Sequence, residues 1–489
     1  MSRNTAHRIL AGASLAALLA AAPAWAQAPS STPAAAAPTP PRPSNDPTEF
    51  LRDPPKPASV KGQFSLVAIG DLLYSRPMVN HPNPEFQKVV ELIKSGDVTV
   101  SNQEGVFIHL DKFKGEAAGN GLLWGEGTLA KDMKAMGVDM VSVANNHSTD
   151  FGTAGLLDSM ALLDEAGVKH SGGGRNMQEA RRAGFFDTPK GRVALVSTAS
   201  SFKPNATAND AFGEIPARPG ISTLRLRKVN LVTPDQMATI RKLATERATP
   251  LAPPPPADAR DVQFGGEIYR INTTGRPDRL SWEMDLYDHA ALLKSVREAK
   301  AQSDLTVFTI HAHESTTGFD DDTPPPPDFL IKLFRDTVDA GADVVVGGGP
   351  HSLRGIEIYK GRPIFYGVGV FFIKGEIKGL QESSFRVFPD ETGRAPPPKP
   401  AERSVRAGGN PASWYDSIVA ITDYENGKPT AVRLYPLDVG NTYDRSRRGN
   451  PHFADPENAK RILAFLQEAS APFGTKIEID GSVGVIRIP

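Results

Sequence analysis

Cysteine is absent from the 489 residues of this chain, so the fold contains neither a disulfide nor a thiolate. Thiolate catalysis and cysteine-based zinc sites are thereby excluded, and any metal ion must be held by His, Asp, Glu or Asn side chains. An excess of charge of one sign is also absent, because 55 Lys and Arg residues oppose 56 Asp and Glu residues. A basic surface for nucleic acid is therefore not expected.

Long apolar runs are lacking except at the N-terminus. There, the basic residues Arg3 and Arg8 precede an apolar run over 9–22, and a small-x-small motif follows at 24–26. The apolar run is too short to span a bilayer comfortably. This pattern predicts a signal peptide over 1–26; an uncleaved membrane anchor is the alternative. Since no cysteine follows for lipid attachment, we expect a periplasmic or secreted protein with no stable membrane anchor after cleavage.

Composition divides the rest of the chain. Residues 27–60 are dominated by Ala, Pro, Ser and Thr, which predicts a disordered linker. Residues 61–489 have a globular composition and are expected to form one domain. Two stretches, near 202–285 and 378–413, show few clean periods and are interpreted as insertions. The first is either a lid or substrate-contacting surface, or a passive loop excursion.

Apolar strand patterns and helix patterns alternate through most of this domain, which predicts an α/β fold with a parallel sheet. Turn residues at 265–266, 360–361 and 426–427 predict hairpins. The predicted strands cover residues 64–69, 98–101, 140–144, 193–197, 305–310 and 343–346. The predicted helices cover 84–94, 127–136, 234–246, 288–301, 328–340 and 456–469, with one more from a cap at Asp150 to a stop at Gly167.

Five of the predicted strands end directly in polar residues that could carry chemistry. Ligands bind beyond the carboxyl ends of strands in such sheets, so these residues should meet in one pocket if the strands are neighbours. Carboxylates, an amide and imidazoles are suitable ligands for one or two divalent ions. Taken singly, each group also fits a turn, a helix cap or a packed histidine pair. The groups are Asp71, Glu104, Asn145-Asn146-His147, His311-Ala312-His313-Glu314 and His351.

Four segments resemble successive motifs of the CapA-type capsule-synthesis family, which is associated with poly-γ-glutamate. They are GDLLYSRP, SNQEG, VANNHSTDFGTAGLLDSMALLDEAGVKHSGGGRN and GADVVVGGGPHSLRGIEIYKGRPIFYGVGVFFI, spanning about residues 64–375. The family is similar in fold to calcineurin-like metallophosphatases, so the resemblance implies a four-layer α/β/β/α sandwich. It also implies that the late strand pairs, such as 417–424 with 430–437, supply part of the second sheet.

The resemblance also implies a site that holds one or two divalent metal ions, namely Mn, Zn or Fe. The Asn-Asn-His motif matches one that supplies an amide ligand and a phosphate-facing imidazole in metallophosphatases. The expected metal ligands are Asp71, Glu104, Asn146, His313 and His351. The expected catalytic residues are His147 and His311, which move protons, and Arg76, which holds an anionic substrate. The expected substrate contacts are Asn145 and Glu314.

The sequence departs from the family pattern at three places. A His-Trp-Gly-x-Glu motif is usual where this chain has His311-Ala312-His313-Glu314-Ser315. Two consecutive histidines usually precede the Pro-His pair, whereas this chain has Gly348 and Gly349 there. A Ser-x-Gly-Asn motif is expected near 367–370, and neither its Ser nor its Asn is present. His313 is a candidate replacement for one lost histidine. The departures leave a two-metal site, a single-metal site and an empty site open.

These observations lead to one functional interpretation and two alternatives. The chain is expected to be an exported CapA-like protein that acts on or handles an extracellular anionic polymer by metal-assisted hydrolysis or transfer. It would then be a metal-dependent hydrolase. The alternatives are a non-catalytic polymer-binding or assembly module with a degenerate metal site, and a periplasmic phosphoesterase unrelated to capsule. Expected partners are an anionic polymer or a small phosphoester or amide substrate, and not nucleic acid.

Overall fold

The computed structural model describes residues 46–73, 76–116, 123–317, 325–373, 412–440 and 449–489. All of them belong to the unit Ser44–Pro489. The predicted signal peptide, the first part of the predicted linker and nearly all of the predicted insertion 378–413 lie outside the described residues. Within the described ranges, no helix is both long and apolar enough to cross a membrane. Strands are numbered β1–β25 and helices α1–α8 in chain order.

The larger sheet joins early and late parts of the chain. Its nine strands are β1 (Gln63–Ala68), β3 (Val98–Asn102), β6 (Met140–Ser142), β7 (Lys169–Ser171), β21 (Asp416–Glu425), β22 (Lys428–Asp438), β23 (His452–Phe453), β24 (Glu478–Asp480) and β25 (Val483–Arg487). Their order is β24-β25-β22-β21-β1-β3-β6-β7, and β23 pairs with β22. From β1 to β7 all pairings are parallel, as the alternation of strands and helices predicted.

The second sheet has six strands in the order β18-β19-β17-β16-β10-β9. These are β9 (Gly184–Thr188), β10 (Gly191–Ala199), β16 (Leu305–His311), β17 (Val344–Gly348), β18 (Ile356–Tyr359) and β19 (Arg362–Phe365). Its centre is parallel, with β16 between β10 and β17. The predicted hairpin around Lys360-Gly361 forms its edge, and Lys360 adopts the left-handed backbone of a tight turn, with φ 51.

The helices lie where the apolar periodicity predicted them, because local signals mark their ends. Pro84 and Pro234 occupy first turns behind the side-chain caps of Asn83 and Thr233, and Gly167 ends its helix with φ 76. The helices are α1 (Pro84–Lys94), α2 (Leu129–Ala135), α3 (Gly152–Ala166), α4 (Met177–Ala180), α5 (Pro234–Glu246), α6 (Leu286–Ala301), α7 (Asp328–Ala340) and α8 (Pro456–Ser470). Short 3-10 helices cover Pro47–Leu51, Ala412–Tyr415 and Ala471–Phe473.

Three apolar clusters hold these elements together. The first combines one face of each sheet, for example Leu66 and Val100 with Leu195 and Val307. The second joins the other face of the larger sheet to α1, α2 and α3, and the third joins the other face of the second sheet to α6 and α7. The fold is therefore mixed α/β with several sheets, and the parallel centres of both large sheets lie among apolar residues on both faces.

The late strands differ from the prediction. The pair β21–β22 was expected in the second sheet, but β21 pairs antiparallel with β1 and extends the larger sheet. β1 follows the N-terminal segment directly, and the βαβ unit that it begins gives it a neighbour, β3, on one side only. Its other edge is available to a strand from the end of the chain, and this long-range pairing leaves no local sequence signal.

The segment 202–285 contains more regular structure than predicted. The hairpin at 265–266 is confirmed, and it belongs to a four-stranded sheet, β13-β14-β12-β15. Met237 of α5 and Val262 of β13 are buried in a small apolar cluster of this insertion. Its strands are β12 (Leu226–Val232), β13 (Asp261–Phe264), β14 (Glu267–Ile271) and β15 (Leu280–Met284). The remaining short strands are β2 (Asp71–Leu73), β4 (Val106–Ile108), β5 (Trp124–Glu126), β8 (Gly173–Gly174), β11 (Gly220–Ile221) and β20 (Val370–Ile373).

Ordered packing begins earlier than the predicted boundary at residue 61. The part of the predicted linker that the structure describes, 46–60, includes the 3-10 helix Pro47–Leu51. Arg297 of α6 donates to the backbone oxygen of Phe50 at 2.7 Å, and the Ser59 hydroxyl donates to Asp304 at 2.7 Å. Composition alone placed these residues in the linker, whereas contacts with α6 and its following turn hold them on the domain.

Candidate metal centre

Both large sheets direct the carboxyl ends of their parallel strands toward one cluster of polar side chains. Asp71 follows β1 within three residues, and Glu104 follows β3 within two. His311 is the last residue of β16, while His313 and His351 follow β16 and β17. These five side chains are all buried. The convergence expected from the sequence is therefore observed, although the chemical role of each residue stays a prediction.

Glu104 lies at the centre of the cluster. Its oxygens lie 3.9 Å from His147 Nε2, 4.0 Å from His311 Nε2 and 3.6 Å from His351 Nε2. Its side chain is 0% exposed. Among the described residues, neither oxygen has a hydrogen-bond partner within 3.5 Å, and the same holds for Asn146 Oδ1. Buried acceptors without donors are costly, so this arrangement fits a site completed by a cation.

Two groups of possible metal ligands share Glu104. Asp71, Glu104 and His311 form one, and Glu104, His313 and His351 form the other; within each group the ligand atoms lie within 4.8 Å of one another. The first group has two carboxylates and one imidazole, and the second has one carboxylate and two imidazoles. Both donor sets suit divalent ions such as Mn²⁺, Fe²⁺ or Zn²⁺. The residues present therefore fit the cofactor that the sequence implied.

Asn102, which the sequence analysis did not select, positions two of these ligands. Its Nδ2 donates to Asp71 Oδ1 at 2.9 Å and lies 3.1 Å from His311 Nδ1. Asn145 Nδ2 in turn donates to Asn102 Oδ1 at 3.1 Å. Outer residues of this kind fix the orientation of metal ligands. Asn102 is the last residue of β3 and lies two positions before Glu104. This position at a strand end was the signal in the sequence that could have identified it.

The glycines at the lost histidine positions have a structural role here. A Cβ atom on Gly348 would lie 2.7 Å from Asp71 Oδ1, so Asp71 occupies the space that a side chain would need. Gly349 has φ 113, and its backbone N–H donates to Asp71 Oδ2 at 3.0 Å. The run therefore binds the Asp71 carboxylate through its backbone. His313, the candidate replacement, lies in the cluster with its Nε2 3.0 Å from His311 Nε2.

Burial and mutual repulsion shape the charges of this centre. Burial, together with the negative charge of Glu104, raises the pKa of Asp71 to about 7. Burial alone would also raise the pKa of Glu104, but the facing imidazoles of His351, His311 and His147 outweigh it and hold that pKa below its usual value. Burial lowers the pKa of His311 well below its usual value. A neutral His311 is the form that binds a metal ion.

Of the imidazoles that face Glu104, that of His147 is the most accessible, with 21% of its side chain exposed. Its Nδ1 faces Asp150 Oδ2 at 2.8 Å, and its backbone N–H donates to Asn145 Oδ1 at 3.0 Å. Asp150 was predicted to cap α3, which is wrong: the cap position is Phe151, without a side-chain hydrogen bond. The carboxylate instead turns toward His147 because three donors surround it there.

His351 has a strained backbone. Its φ of 56 is left-handed, a conformation that costs a non-glycine residue on the order of 1 kcal/mol. Its ring centroid lies 4.4 Å from that of Trp414 and 5.3 Å from that of His313. Trp414 is a second residue that the sequence analysis missed, since it lies 63 positions later and no motif contains it. Strain of this kind is concentrated at functional sites.

Two predicted substrate contacts bind protein groups, and their contact with substrate stays a prediction. The Glu314 carboxylate is buried and accepts from Ser200 Oγ at 2.7 Å and Ser201 Oγ at 3.0 Å. The Ser201 hydroxyl also accepts from the backbone N–H of His313 at 2.7 Å, so these residues support the loop that carries His313. Asn145 is buried and bonded to Asn102 and the backbone of Gln103. Both side chains are thus committed to protein partners.

The other predicted residues fall into two places. Asn146 belongs to the cluster, with its Nδ2 3.3 Å from His313 Nε2. Arg76 lies in an exposed bend after β2, and its predicted contact with substrate stays a prediction. The described histidines outside the centre belong to neither ligand group: His81, His109, His170, His289 and His452.

Comparison with known proteins shows which family this chain resembles. Residues 65–374 match the family described as "Bacterial capsule synthesis protein PGA_cap". The uncharacterized protein y4sH of Sinorhizobium fredii is 36% identical over 439 residues, covering 87% of this chain and 93% of that protein. The capsule biosynthesis protein CapA of Bacillus anthracis is 24% identical over 319 residues, covering 63% of this chain and 59% of that protein.

The PGA biosynthesis protein CapA of Bacillus subtilis is similar at 24% identity over 286 residues, covering 58% of this chain and 56% of that protein. The matched segment includes all of the cluster ligands from Asp71 to His351. It extends over more than half of the sequence and agrees with the motifs quoted from the sequence alone. The chain therefore belongs to the PGA_cap family of bacterial capsule synthesis proteins.

Proposed function

We propose that this protein is an exported, metal-dependent hydrolase or transferase that acts on an anionic polymer of the poly-γ-glutamate or capsule type. The names of its family and of the Bacillus relatives support the substrate class. The N-terminal pattern supports export to the periplasm or beyond the cell. The observation that carries the proposal is Glu104, a buried carboxylate shared by two groups of metal ligands.

Asp71, Glu104, His311, His313 and His351 are the residues that would hold one or two divalent ions, with Asn146 beside them. A bound divalent ion supplies Lewis acidity and a nucleophilic water near neutral pH. His147 lies at the accessible side with Nε2 toward Glu104, so it is placed to give a proton to the leaving group or to take one from the attacking water. Arg76, on the exposed bend after β2, would hold an anionic group of the substrate.

The finer fold assignment is part of this proposal. A four-layer α/β/β/α sandwich of the calcineurin-like metallophosphatase type has two facing sheets with helices outside them. Support comes from the apolar cluster shared by both sheets and from the two outer clusters with α1–α3 and with α6–α7. In such an architecture the carboxyl ends of the parallel strands of both sheets lie at one edge of the sandwich. The cluster around Glu104 lies at these strand ends.

A second candidate is a non-catalytic module that binds or assembles the polymer. The glycine run 347–349 favours it, since these positions offer no side-chain ligands and Gly349 binds Asp71 through its backbone N–H. Under this proposal the cluster would be a degenerate site. Polymer binding would then be independent of metal and of the cluster histidines.

Metal analysis followed by activity measurements tests the first proposal. The purified chain from residue 27 onward is analysed for bound Mn, Zn and Fe. It is then assayed with a γ-linked glutamate oligomer and with bis(p-nitrophenyl) phosphate in the presence of Mn²⁺. We expect bound metal, turnover of the oligomer, and loss of turnover in Asp71→Ala and His147→Ala. His170→Gln, at a partly buried histidine outside the cluster, is the matched control and should keep full activity.

The outcomes separate the alternatives. Turnover of the phosphodiester without turnover or binding of the oligomer would favour a phosphoesterase unrelated to capsule. Oligomer binding that survives chelator and both substitutions, without turnover, would favour the binding module. A wild-type protein free of metal and inactive on both compounds would contradict the enzymatic proposal.

A further inference from the structure

Asp150 is a buried carboxylate beside the centre that belongs to neither group of metal ligands. Its side chain is 0% exposed. Oδ2 accepts from the backbone N–H of Leu123 at 2.6 Å and faces His147 Nδ1 at 2.8 Å. Oδ1 accepts from Lys203 Nζ at 2.5 Å. The carboxylate therefore joins the chain before β5, the Asn-Asn-His loop and the start of the insertion.

These contacts determine which nitrogen of His147 carries its proton. A carboxylate only accepts hydrogen bonds, so the imidazole nitrogen that faces it must donate. Leu123 and Lys203 supply further donors to the same two oxygens, which fits an ionised group. With its proton on Nδ1, the neutral His147 ring has an unprotonated Nε2. That atom lies 3.9 Å from Glu104 Oε1, on the side of the metal ligands.

Two simpler roles for Asp150 do not account for this geometry. It does not cap α3, because the helix has no side-chain cap bond and begins after Phe151. A purely structural acceptor for Leu123 and Lys203 would not require contact with an imidazole. The contact with Asp150 Oδ2 orients the partly exposed ring of His147 toward the centre. Lys203 donates to the other oxygen, Oδ1, of the same carboxylate.

We propose that Asp150 is a positioning residue that fixes His147 in the Nδ1–H form with Nε2 directed at the centre, and that Lys203 holds Asp150 in place. The insertion thereby has a defined role, because its first residues supply the cation that holds this carboxylate. The catalytic part of the inference rests on the proposed function, in which His147 exchanges a proton with the substrate or water. The tautomer itself does not depend on any activity.

The ring nitrogens of His147 provide a direct test by NMR in full-length protein labelled with ¹⁵N-histidine, with His147→Gln to assign the signals. We expect Nδ1–H in the wild type. In Asp150→Ala no acceptor faces Nδ1, so the Nδ1–H form loses its hydrogen bond and His147 should shift toward Nε2–H. Asp150→Glu should restore Nδ1–H at least partly. Asp164→Asn, which alters the separate Asp164–His170 pair, is the matched control and should leave His147 unchanged.

Kinetics supply a second readout. If the wild type is active, Asp150→Ala should lower kcat by about 100-fold or more with little change in KM, the range lost when a general acid or base is misplaced. Lys203→Met should lower kcat less and keep the Nδ1–H form. An inactive wild type would contradict the proposed function and leave the tautomer result standing.

The inference is overturned if wild-type His147 is in the Nε2–H form, or if Asp150→Ala folds and keeps Nδ1–H. Circular dichroism establishes whether that variant folds. If it does not, the wild-type tautomer together with Asp150→Glu decides the question, since a glutamate that folds and leaves His147 in the Nε2–H form counts against the proposal.

Discussion

At the scale of single residues, Glu104 is the side chain on which both possible ion positions depend. It contributes to the group with Asp71 and to the group with His313 and His351, and its oxygens lack donors among the described residues. A buried charge without such partners is strongly unfavourable unless a cation neutralises it. The three facing imidazoles provide part of this compensation, and a bound ion would provide the rest.

Substitution of these ligands should therefore give unequal losses of metal. Glu104→Gln is expected to lower the affinity for every bound ion, because both groups lose their shared carboxylate. Asp71→Asn should weaken only one position and His313→Ala only the other. Titration with Mn²⁺ or Zn²⁺ followed calorimetrically measures the stoichiometry, and His170→Gln serves as the matched control. Equal metal content in Glu104→Gln and wild type would contradict the shared-ligand arrangement.

At the scale of elements, the loop after β16 is held from several sides. Trp282 Nε1 of β15 donates to the Ser315 oxygen at 2.8 Å, and the N–H groups of Arg279 and Leu280 donate to the Thr316 oxygen. Ser201 binds the backbone of His313 from the other side. The insertion is thus attached to the loop that carries a predicted metal ligand.

The insertion itself depends on an ion-pair network, which predicts its response to acid. The hydrogen bond from Arg270 lowers the pKa of Asp261 from 3.8 to about 2. A carboxylate whose pKa is lower in the folded state stabilises the fold above its unfolded pKa, and this contribution is lost as the pH falls through the folded value. The stabilisation is therefore complete above about pH 5 and disappears toward about pH 2.

Hydrogen exchange of the backbone over 226–284 measures this effect. Asp261→Asn should lower protection of these strands above about pH 5, and the difference from wild type should shrink between about pH 4 and pH 2. Because the pair is only partly buried and water screens its charges, the effect is expected to be small. Asp258→Asn, on the adjoining loop, is the control and should behave as wild type. A difference that stays constant over the whole pH range would exclude this origin.

At the scale of the whole molecule, the candidate centre joins the two large sheets. Asp71 and Glu104 follow strands of the larger sheet, whereas His311, His313 and His351 follow strands of the second. An ion bound by both sets would connect the sheets at the edge of the apolar cluster that they share. Metal binding should consequently stabilise the domain as a unit.

This connection predicts a metal-dependent thermal stability. A ligand that binds only the folded state adds about 2.7 kcal/mol when its free concentration is about 100 times Kd. Calorimetry should therefore show a Tm several degrees higher with Mn²⁺ or Zn²⁺ than with chelator. Glu104→Gln should lose most of this difference, whereas His170→Gln should keep it. A Tm that is unaffected by metal in the wild type would argue against a metal-binding centre.

Local patterns in the sequence were enough to predict the main elements and part of the site. Apolar alternation and capping residues located the parallel strands and the helices, three of them, α1, α5 and α7, with the observed bounds. The position of Asp71, Glu104, His147, His311 and His351 after predicted strands was enough to anticipate their convergence, since parallel strands present their carboxyl ends at one edge. The family could also be identified from the sequence, because its motifs are contiguous stretches of residues.

Only the tertiary structure decided the features that depend on contacts between distant residues. The pairing of β21 with β1 and the approach of Trp414 to His351 join residues far apart in sequence, and no local period records them. Asp150 has the sequence of a helix cap, yet Leu123, His147 and Lys203 surround it. Local preference places a residue in an element, but its partners are chosen by packing between elements, where hydrogen bonds and burial contribute more than intrinsic propensity.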